Sequence, residues 1–379
     1  MRILQFSDSF LPIMDGVGNV VYQYALNMGR LGHECYVVAP QTDTGYRGGF
    51  PFEIVDYIGL PLMRMKSYTV GVPSLDKHCQ NRLSAIHGDI VHVHSPFTAG
   101  QAGLVYAQKR HLPVVGTFHS KYYDDFLQVT GVELVAKVGV KHVVNFYEKC
   151  DEVWAVSASS ADTLRGYGYQ GDIRVMPNGT DIRPVTDEKV REVAKQYNLT
   201  GEQPVLLFVG QVNWKKNLRR VLEACAKLGT PFRLVVAGQG PHEKDARQLA
   251  EKLGIAEHTL FTGHITDPDA LNALYKLADL FLFPSIYDNS PLVVREAAAM
   301  GTPSVTVLGS SAAEGITDGD NGLLCRDDSD DLARVVSAAL ADPESLARMG
   351  RRARDTIPIP WSTLVNGVLE RYQALVSLR

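Results

Sequence analysis

Short apolar runs alternate with longer amphipathic stretches along the whole chain. Runs of four or five apolar residues bounded by turn formers read as buried strands, and stretches with apolar positions at helical spacing read as helices. Residues 2–6 give a first strand. A loop from Ser7 to Gly18 leads into a helix over 19–31, Gly32 ends it, and residues 35–39 are the next strand. A helix near 73–86, a strand at 90–93, a helix at 99–110 and a strand at 114–118 continue the series. Helices at 132–149 and 158–167 flank a strand at 153–156, and a further strand lies near 173–176. Strand–helix–strand repetition is the grammar of a parallel sheet with helices on both faces.

A polar segment with one helix, between Pro177 and Pro204, reads as the crossing between two domains. A second series follows, with strands at 205–209, 232–237, near 259–261, 280–283 and 304–307 and helices between them at 217–228, 242–253, 268–276 and 291–300. Helices at 330–340 and 344–355 come next, Pro358 and Pro360 break the chain, and 361–378 is a last amphipathic helix. At 379 residues the chain is long for one core. The pattern predicts an α/β protein of two doubly wound, Rossmann-like domains facing across a cleft. The N-terminal domain spans 1–182 with helix 361–379 returning to it, and the C-terminal domain spans 183–360. A ligand is expected at the carboxyl ends of the strands.

Charge and composition remove several classes. The net charge of −4 offers no basic field for nucleic acid. Five scattered cysteines without a CxxC pair suggest neither disulfides nor zinc, and point to a cytoplasmic setting. No apolar run is long enough to span a bilayer, and Asp8 interrupts the place where a signal peptide is apolar, so membrane contact would be peripheral. Helix 132–149 carries Lys137, Lys141 and Lys149 among apolar residues. It suits a membrane face or a core helix with solvated lysines, and Glu133 and Glu148 favour the second.

Candidate chemistry gathers at strand ends. Asn289-Ser290-Pro291 reads as a helix start after a buried strand, with Ser290 as N-cap and Pro291 at the first helical position. Free N–H groups there suit a phosphate. Glu296, among Val293, Val294 and Ala297, needs a partner: sugar or ribose hydroxyls, an arginine or backbone would each serve. Lys215 and Lys216 begin a helix and suit a diphosphate or open solvent. His119, with Lys121, Tyr122, Tyr123 and Asp124 after it, reads as a sugar or acceptor site in a strand-end loop. His92 and His94 share one face of a strand but lack the acidic set of a metal site. Asp318-Gly319-Asp320 lies in TDGDNG, a turn by composition. Neither Gly16-Val17-Gly18 nor Gly238-Gln239-Gly240 completes GxGxxG, which argues against a nicotinamide or flavin enzyme.

In order along the chain, DGVG, TFHSKY, VSASSADTL, VMPNGTD, FVGQVNWKKN, VVAGQGP, FTGHI, FPSIYDNSPLVVREAAAMGTPSV and EGITDGDNGLL resemble the motifs of retaining glycosyltransferases of family 4, which have the two-domain GT-B fold. The resemblance implies that Lys216 grips the donor diphosphate, aided by Lys215, with Asn289, Ser290 and the amides of Leu292 and Val293. It implies that Glu296 holds ribose hydroxyls, that Asp288 and His119 meet the transferred sugar, and that Gly16 lets backbone approach the reacting groups. Gly238 and Ile265 would line the nucleotide pocket. Two positions depart from the family habit: Asp288 stands where Glu is usual, and Gln211 where Arg is usual. The implied reaction moves a hexosyl group from a nucleotide sugar, UDP-linked by family habit, to a hydroxyl with retention and without a metal or other cofactor. The segment from His94 to Phe126 looks most like bacterial members that glucosylate diacylglycerol or related cell-envelope glycolipids. A soluble saccharide or small-molecule acceptor is the alternative. A nucleotide-sugar epimerase of the same fold would need acid–base carboxylates that the sequence does not display. A non-catalytic binder would not need Lys216, Glu296 and His119 together.

Overall fold

The computed structural model describes every residue except 12–14, 42–47, 63–64, 200 and 202. Parts of the expected first loop and of the expected crossing therefore lie outside the described residues. Two compact units result, residues 1–178 with 361–379, and residues 179–360.

The first unit runs β1 (Arg2–Phe6), α1 (Gly16–Arg30), β2 (Glu34–Pro40), β3 (Glu53–Tyr57), β4 (Gly59–Leu62), β5 (Met65–Gly71), α2 (Lys77–Ala85), β6 (Ile90–Val93), α3 (Thr98–Arg110), β7 (Val114–Phe118), α4 (Tyr122–Thr130), α5 (Glu133–Tyr147), β8 (Glu152–Ala155), α6 (Ala158–Gly166) and β9 (Ile173–Val175). Seven strands form a parallel sheet in the order β3-β2-β1-β6-β7-β8-β9, and β4 and β5 make a separate antiparallel pair. The central strands are buried on both faces because helices cover both, and apart from Gln5, His92 and Thr117 their buried side chains are apolar. The order reverses between β1 and β6, so the loops that leave these two strands diverge and open a crevice. Asp8, just after β1, accepts from Ser95 Oγ at 2.5 Å, Thr98 Oγ1 at 2.7 Å and Ala99 N at 3.0 Å, which caps α3 from outside the helix.

The second unit contains α7 (Asp187–Gln196), β10 (Val205–Val209), α8 (Leu218–Cys225), β11 (Arg233–Ala237), α9 (Glu243–Lys252), β12 (Thr259–Gly263), α10 (Pro268–Leu277), β13 (Leu280–Leu282), α11 (Leu292–Ala299), β14 (Ser304–Val307), β15 (Leu323–Cys325), α12 (Ser329–Leu340) and α13 (Pro343–Thr356). Its six parallel strands lie in the order β12-β11-β10-β13-β14-β15, with the reversal between β10 and β13. The chain enters and leaves this unit side by side, where Thr180 N donates to Ile359 O at 2.6 Å.

The last helix, α14 (Trp361–Ser377), belongs to the first unit. Trp361 meets Tyr24 edge-on at 5.8 Å, Tyr372 stacks on Trp154 at 5.7 Å, and Arg371 pairs with Glu152 at 2.5 Å. Four strands went unread in the sequence: β3, β4, β5 and β15. Strands β3 and β15 lie at sheet edges, where one face is less covered and no continuous apolar run is required. The expected helix near 73–86 is a short 3-10 turn over Pro73–Leu75 followed by α2. The expected polar loop after His119 is helical from Tyr122 and ends at Gly131 in the left-handed region. Among the described residues no helix is long and apolar enough to cross a membrane.

Candidate active site

In the second unit three loops at the carboxyl ends of β10, β11 and β12 are joined by backbone. Gly210 N donates to Ala237 O at 3.0 Å, Val212 N to Gln239 O at 3.1 Å and Gly238 N to Gly263 O at 2.9 Å. Gly238 has φ +144°, and a Cβ there would lie 1.9 Å from Gly210 O. Its glycine is thus required by backbone crowding, a reason separate from the nucleotide contact expected of it. Ile265, beyond β12, packs partly buried against the core.

The loops after β10 and β13 flank the reversal in strand order and carry the densest chemistry. After β10, residues Trp214–Lys216 form one 3-10 turn with Asn213 accepting from Lys215 N at 3.2 Å. Asn217 adopts φ +58° and donates to Pro284 O at 2.8 Å, tying this turn to the loop after β13. Lys216 Nζ then forms an ion pair with Asp288. Ser285 Oγ donates to the other Asp288 oxygen at 2.5 Å, and Ser311 Oγ donates to the Asp288 backbone carbonyl. The Lys216 and Asp288 side chains keep 21% and 15% exposure, enough for a ligand to reach them. The Lys215 ammonium lies 4.3 Å above the Tyr287 ring, and Gln211 is exposed.

Helix α11 begins one residue later than the sequence suggested. Pro291 is the N-cap, with extended ψ of 122°, and Leu292 is the first helical residue; Ser290 lies outside. The backbone of Pro291 itself is extended and not helical, so Pro291 and not Ser290 is the half-in residue at the helix start. Proline has no side-chain acceptor to give, and no side-chain cap bond is made at the N-cap. The helix start therefore faces the loop with its amides and partial positive charge, Leu292 and Val293 in its first turn. Asn289 is buried beside it and Ser290 is half-buried.

Glu296 lies on α11 and accepts from Tyr275 Oη at 3.1 Å. Burial raises its carboxyl above the ordinary value, the Tyr275 bond opposes this, and nearby Asp181 adds to the rise. Glu296 is half-buried, and a carboxylate largely shielded from water with one neutral donor is costly to ionise, so its environment is incomplete for a carboxylate.

In the first unit His119 follows β7, and burial pushes its imidazole down to about 3. Its Nε2 lies 3.2 Å from His94 Nδ1. Gly16 opens α1, whose N-cap Asp15 accepts from Gly18 N at 2.7 Å, and a Cβ at Gly16 would meet nothing within 4 Å. Of the expected acceptor-side residues, Tyr122 is a core residue: it is 5% exposed and packs edge-on against Phe118 at 5.5 Å and Phe97 at 5.6 Å. An aromatic at the first position of α4 points back under β7 and cannot also face solvent. Lys121 and Tyr123 are half-buried and Asp124 is exposed at the start of α4.

Sequence reasoning missed Ser285, Ser311, Asn217 and Tyr275. Only Tyr275 left a trace, since a buried phenol on a helix needs an acceptor. Both aspartates of TDGDNG are used locally, Asp318 accepting from Leu324 N at 2.8 Å and Asp320 pairing with Arg352 at 3.1 Å. His92 and His94 are fully buried and hydrogen-bonded.

The two doubly wound parallel sheets are those of the GT-B fold. The description "Glycosyltransferase Family 4" matches residues 14–183, and "Glycosyl transferases group 1" matches residues 189–356. The chain belongs to glycosyltransferase family 4. It is 26% identical to the alpha-monoglucosyldiacylglycerol synthase of Streptococcus pneumoniae over 91% of this chain and 79% of that protein. It is also 26% identical to the GDP-mannose-dependent alpha-mannosyltransferase of Corynebacterium glutamicum, over 100% of this chain and 90% of the other. In fold it matches the sucrose-phosphate synthase from Thermosynechococcus elongatus with a TM-score of 0.84 at 20% identity, covering 100% of both chains. Anabaena Alr3699/HepE in complex with UDP and glucose gives 0.77 at 18% identity, covering 99% of this chain and 100% of that one.

The Glu296 environment yields a stability prediction. Its raised pKa means that the folded state binds the proton more tightly than the unfolded chain. Stability is therefore lost as pH rises through the interval between the unfolded and folded pKa values. Glu296→Gln keeps an acceptor for Tyr275 without the charge. It should raise the urea midpoint at about pH 8, and the gain should shrink as acid protonates the wild-type carboxyl. A midpoint lowered at pH 8 would contradict this reading.

Proposed function

We propose that the protein transfers a hexosyl group from a nucleotide sugar to a lipid hydroxyl, with retention of anomeric configuration and without a metal ion. The observation that carries the reading is the convergence of Lys216, Asp288 and the uncapped start of α11 at the reversal in strand order. An ammonium and oriented amides are the groups that a departing diphosphate needs. Asp288 holds the ammonium in place. A diphosphate, with more negative charge, would draw Lys216 to itself. Asp288 would stay tethered by Ser285 and be free to accept a hydrogen bond from the sugar. Lys215, above Tyr287, brings a second ammonium to the loop where Gln211 supplies none. Glu296 would gain from ribose hydroxyls the donors that its burial leaves wanting.

The reaction breaks the bond between the anomeric carbon and the diphosphate oxygen. A new bond to the acceptor oxygen forms on the same face, and the acceptor proton passes to the departing phosphate oxygen. UDP is the carrier we favour; a guanine nucleotide is the competing one, because one of the relatives is a GDP-mannose enzyme.

A feature of the first unit supports a lipid acceptor. The N-terminal half of α5 buries Ala136 and Val140 but leaves Leu134 70% and Val138 62% exposed. This outer apolar face is more than the solvated lysines expected of the helix. Leu134, Val138 and His142 follow one another at spacing of four, and His142 lines a cleft of about 760 Å3. Val72, Leu83, Phe97, Val105 and Tyr106 form its apolar wall, and Lys109 and Arg110 stand at it with positive charge. Apolar walls with a cationic edge suit an acyl chain under an anionic headgroup, and would keep the protein at the inner face of a membrane.

Lys216→Ala should lower kcat/KM by about 100-fold or more in protein that remains folded, although Asp288 loses its cation, and EDTA should leave the wild-type rate unchanged. Gly16→Ala has room for its methyl and should fold normally while losing transfer, since only a bound ligand would meet the added group. Activity unaltered in both variants would remove the site assignment. For the acceptor, sedimentation with phosphatidylglycerol vesicles should fall about tenfold in Leu134→Asp/Val138→Asp. Wild-type protein that ignores such vesicles would point to a soluble acceptor.

A further inference from the structure

The structure joins Lys216 to Asp288, two groups that transfer would use separately. Asp288 is the fixed member of the pair. Its Oδ2 accepts from Ser285 Oγ at 2.5 Å, and its backbone carbonyl accepts from Ser311 Oγ. Both serines are buried, and Ser285 Oγ also accepts from Tyr287 N at 3.3 Å. One serine grips the side chain from within the same loop, and the other grips the main chain from the loop after β14. Lys216 is the movable member. Its backbone is anchored, since Lys216 N donates to Asn213 O at 2.9 Å and Asn217 Nδ2 donates to Pro284 O at 2.8 Å. Its ammonium, in contrast, ends a flexible four-carbon stem. When the pair parts, the ammonium moves and the carboxylate stays.

The two halves of a nucleotide sugar differ in what they can do to this pair. A diphosphate carries more than one negative charge and competes for the ammonium directly. A sugar hydroxyl is neutral, and a neutral hydrogen bond does not replace an ion pair that is largely shielded from water. A carboxylate already neutralised by an ammonium is also a weaker acceptor than a bare one. The sugar therefore meets a strong acceptor only after the diphosphate has drawn Lys216 away.

We propose that the Lys216–Asp288 pair makes recognition of the sugar conditional on the diphosphate, with Ser285 and Ser311 as positioning residues that keep Asp288 in place when the pair parts. This rests on the transferase reading, which gives Lys216 the diphosphate and Asp288 the sugar, and adds that the second contact depends on the first. By linkage the dependence runs both ways. A sugar held by Asp288 keeps that carboxylate from recapturing Lys216, and so strengthens the hold on the diphosphate. An intact donor satisfies both groups at once, while a free sugar finds the pair closed. Once the sugar has left, Asp288 recaptures Lys216, and the spent nucleotide loses its ammonium partner. One ion pair thus retains the donor and helps to expel the product.

Plain repulsion between Asp288 and a diphosphate also acts on affinity, and a double-mutant cycle separates the two effects. UDP, and in parallel GDP, is titrated calorimetrically into the full chain as wild type, Asp288→Asn, Lys216→Met and the double variant. In Asp288→Asn no carboxylate has to give up Lys216, so the nucleotide should bind about tenfold more tightly than in wild type. In the Lys216→Met background the same change to Asn removes only repulsion, and its gain should stay below about threefold. Equal gains in the two backgrounds, or weaker binding in Asp288→Asn, would overturn the proposal. Ser285→Ala tests the positioning role. Its nucleotide affinity should remain within about twofold of wild type, while kcat with the nucleotide sugar that wild type turns over falls about tenfold. Nucleotide binding weakened as much as kcat, as a collapsed loop would give, counts against that role. Should neither nucleotide bind wild type, the transferase reading itself fails; nucleotides that bind with equal gains remove only the conditional step.

Discussion

A single carboxylate shapes the candidate site. Asp288 is held by the Lys216 ammonium and by Ser285, and its backbone carbonyl is held by Ser311. These partners come from the loops after β10, β13 and β14, so one residue draws three strand ends together. The loop that precedes α11 is fixed in a form that leaves the helix start open. Without this arrangement Lys216 would be one more solvated lysine, and the amides at Leu292 and Val293 would have nothing beside them. Partial burial makes the pair stronger than a surface ion pair, yet leaves it within reach of a more highly charged ligand.

The same logic appears in the first unit with neutral groups. Its carboxyl-end loops are organised by hydrogen bonds among Gln5, His92, His94, His119, Thr117 and Tyr372, all buried. Polar side chains in a core are costly when unpaired, and here pairing makes them rigid. The network also reaches α14 through Tyr372, so the last helix of the chain braces the sheet that carries His119.

Much of the fold was legible because central parallel strands are covered on both faces. VLLFV and LFLF could hardly be anything but buried strands, and the helices between them kept their period. Edge strands β3 and β15 were not legible, since Glu53 and Asp56 interrupt one and the other is three residues long. Helix α4 was hidden because two tyrosines and two aspartates in a row read as loop, while packing of Tyr122 beneath β7 decides the matter. At the site, Lys216, Asp288 and Glu296 could be named from local pattern. Their partners Ser285, Ser311 and Tyr275 could not, because a serine or a tyrosine carries no sign of what it will bond. The start of α11 was misplaced by one residue for a similar reason: a proline suits both N1 and the N-cap, and only the backbone tells them apart.

The two departures from the family habit bear on the same charge balance. Asp288 is one methylene shorter than Glu, and here it reaches Lys216. Gln211 brings no charge, so Lys215 and Lys216 are the cations the loop after β10 can offer. The account depends on these ammonium groups and on bare amides receiving the leaving diphosphate. The direct measurement is a crystal structure of the protein with UDP bound in the absence of divalent ions. The account predicts a pyrophosphate in hydrogen-bond contact with Lys216 Nζ and with the amides of Leu292 and Val293, the Lys216–Asp288 pair having parted. A pyrophosphate held elsewhere, or one that binds only when a divalent cation is added, would contradict it.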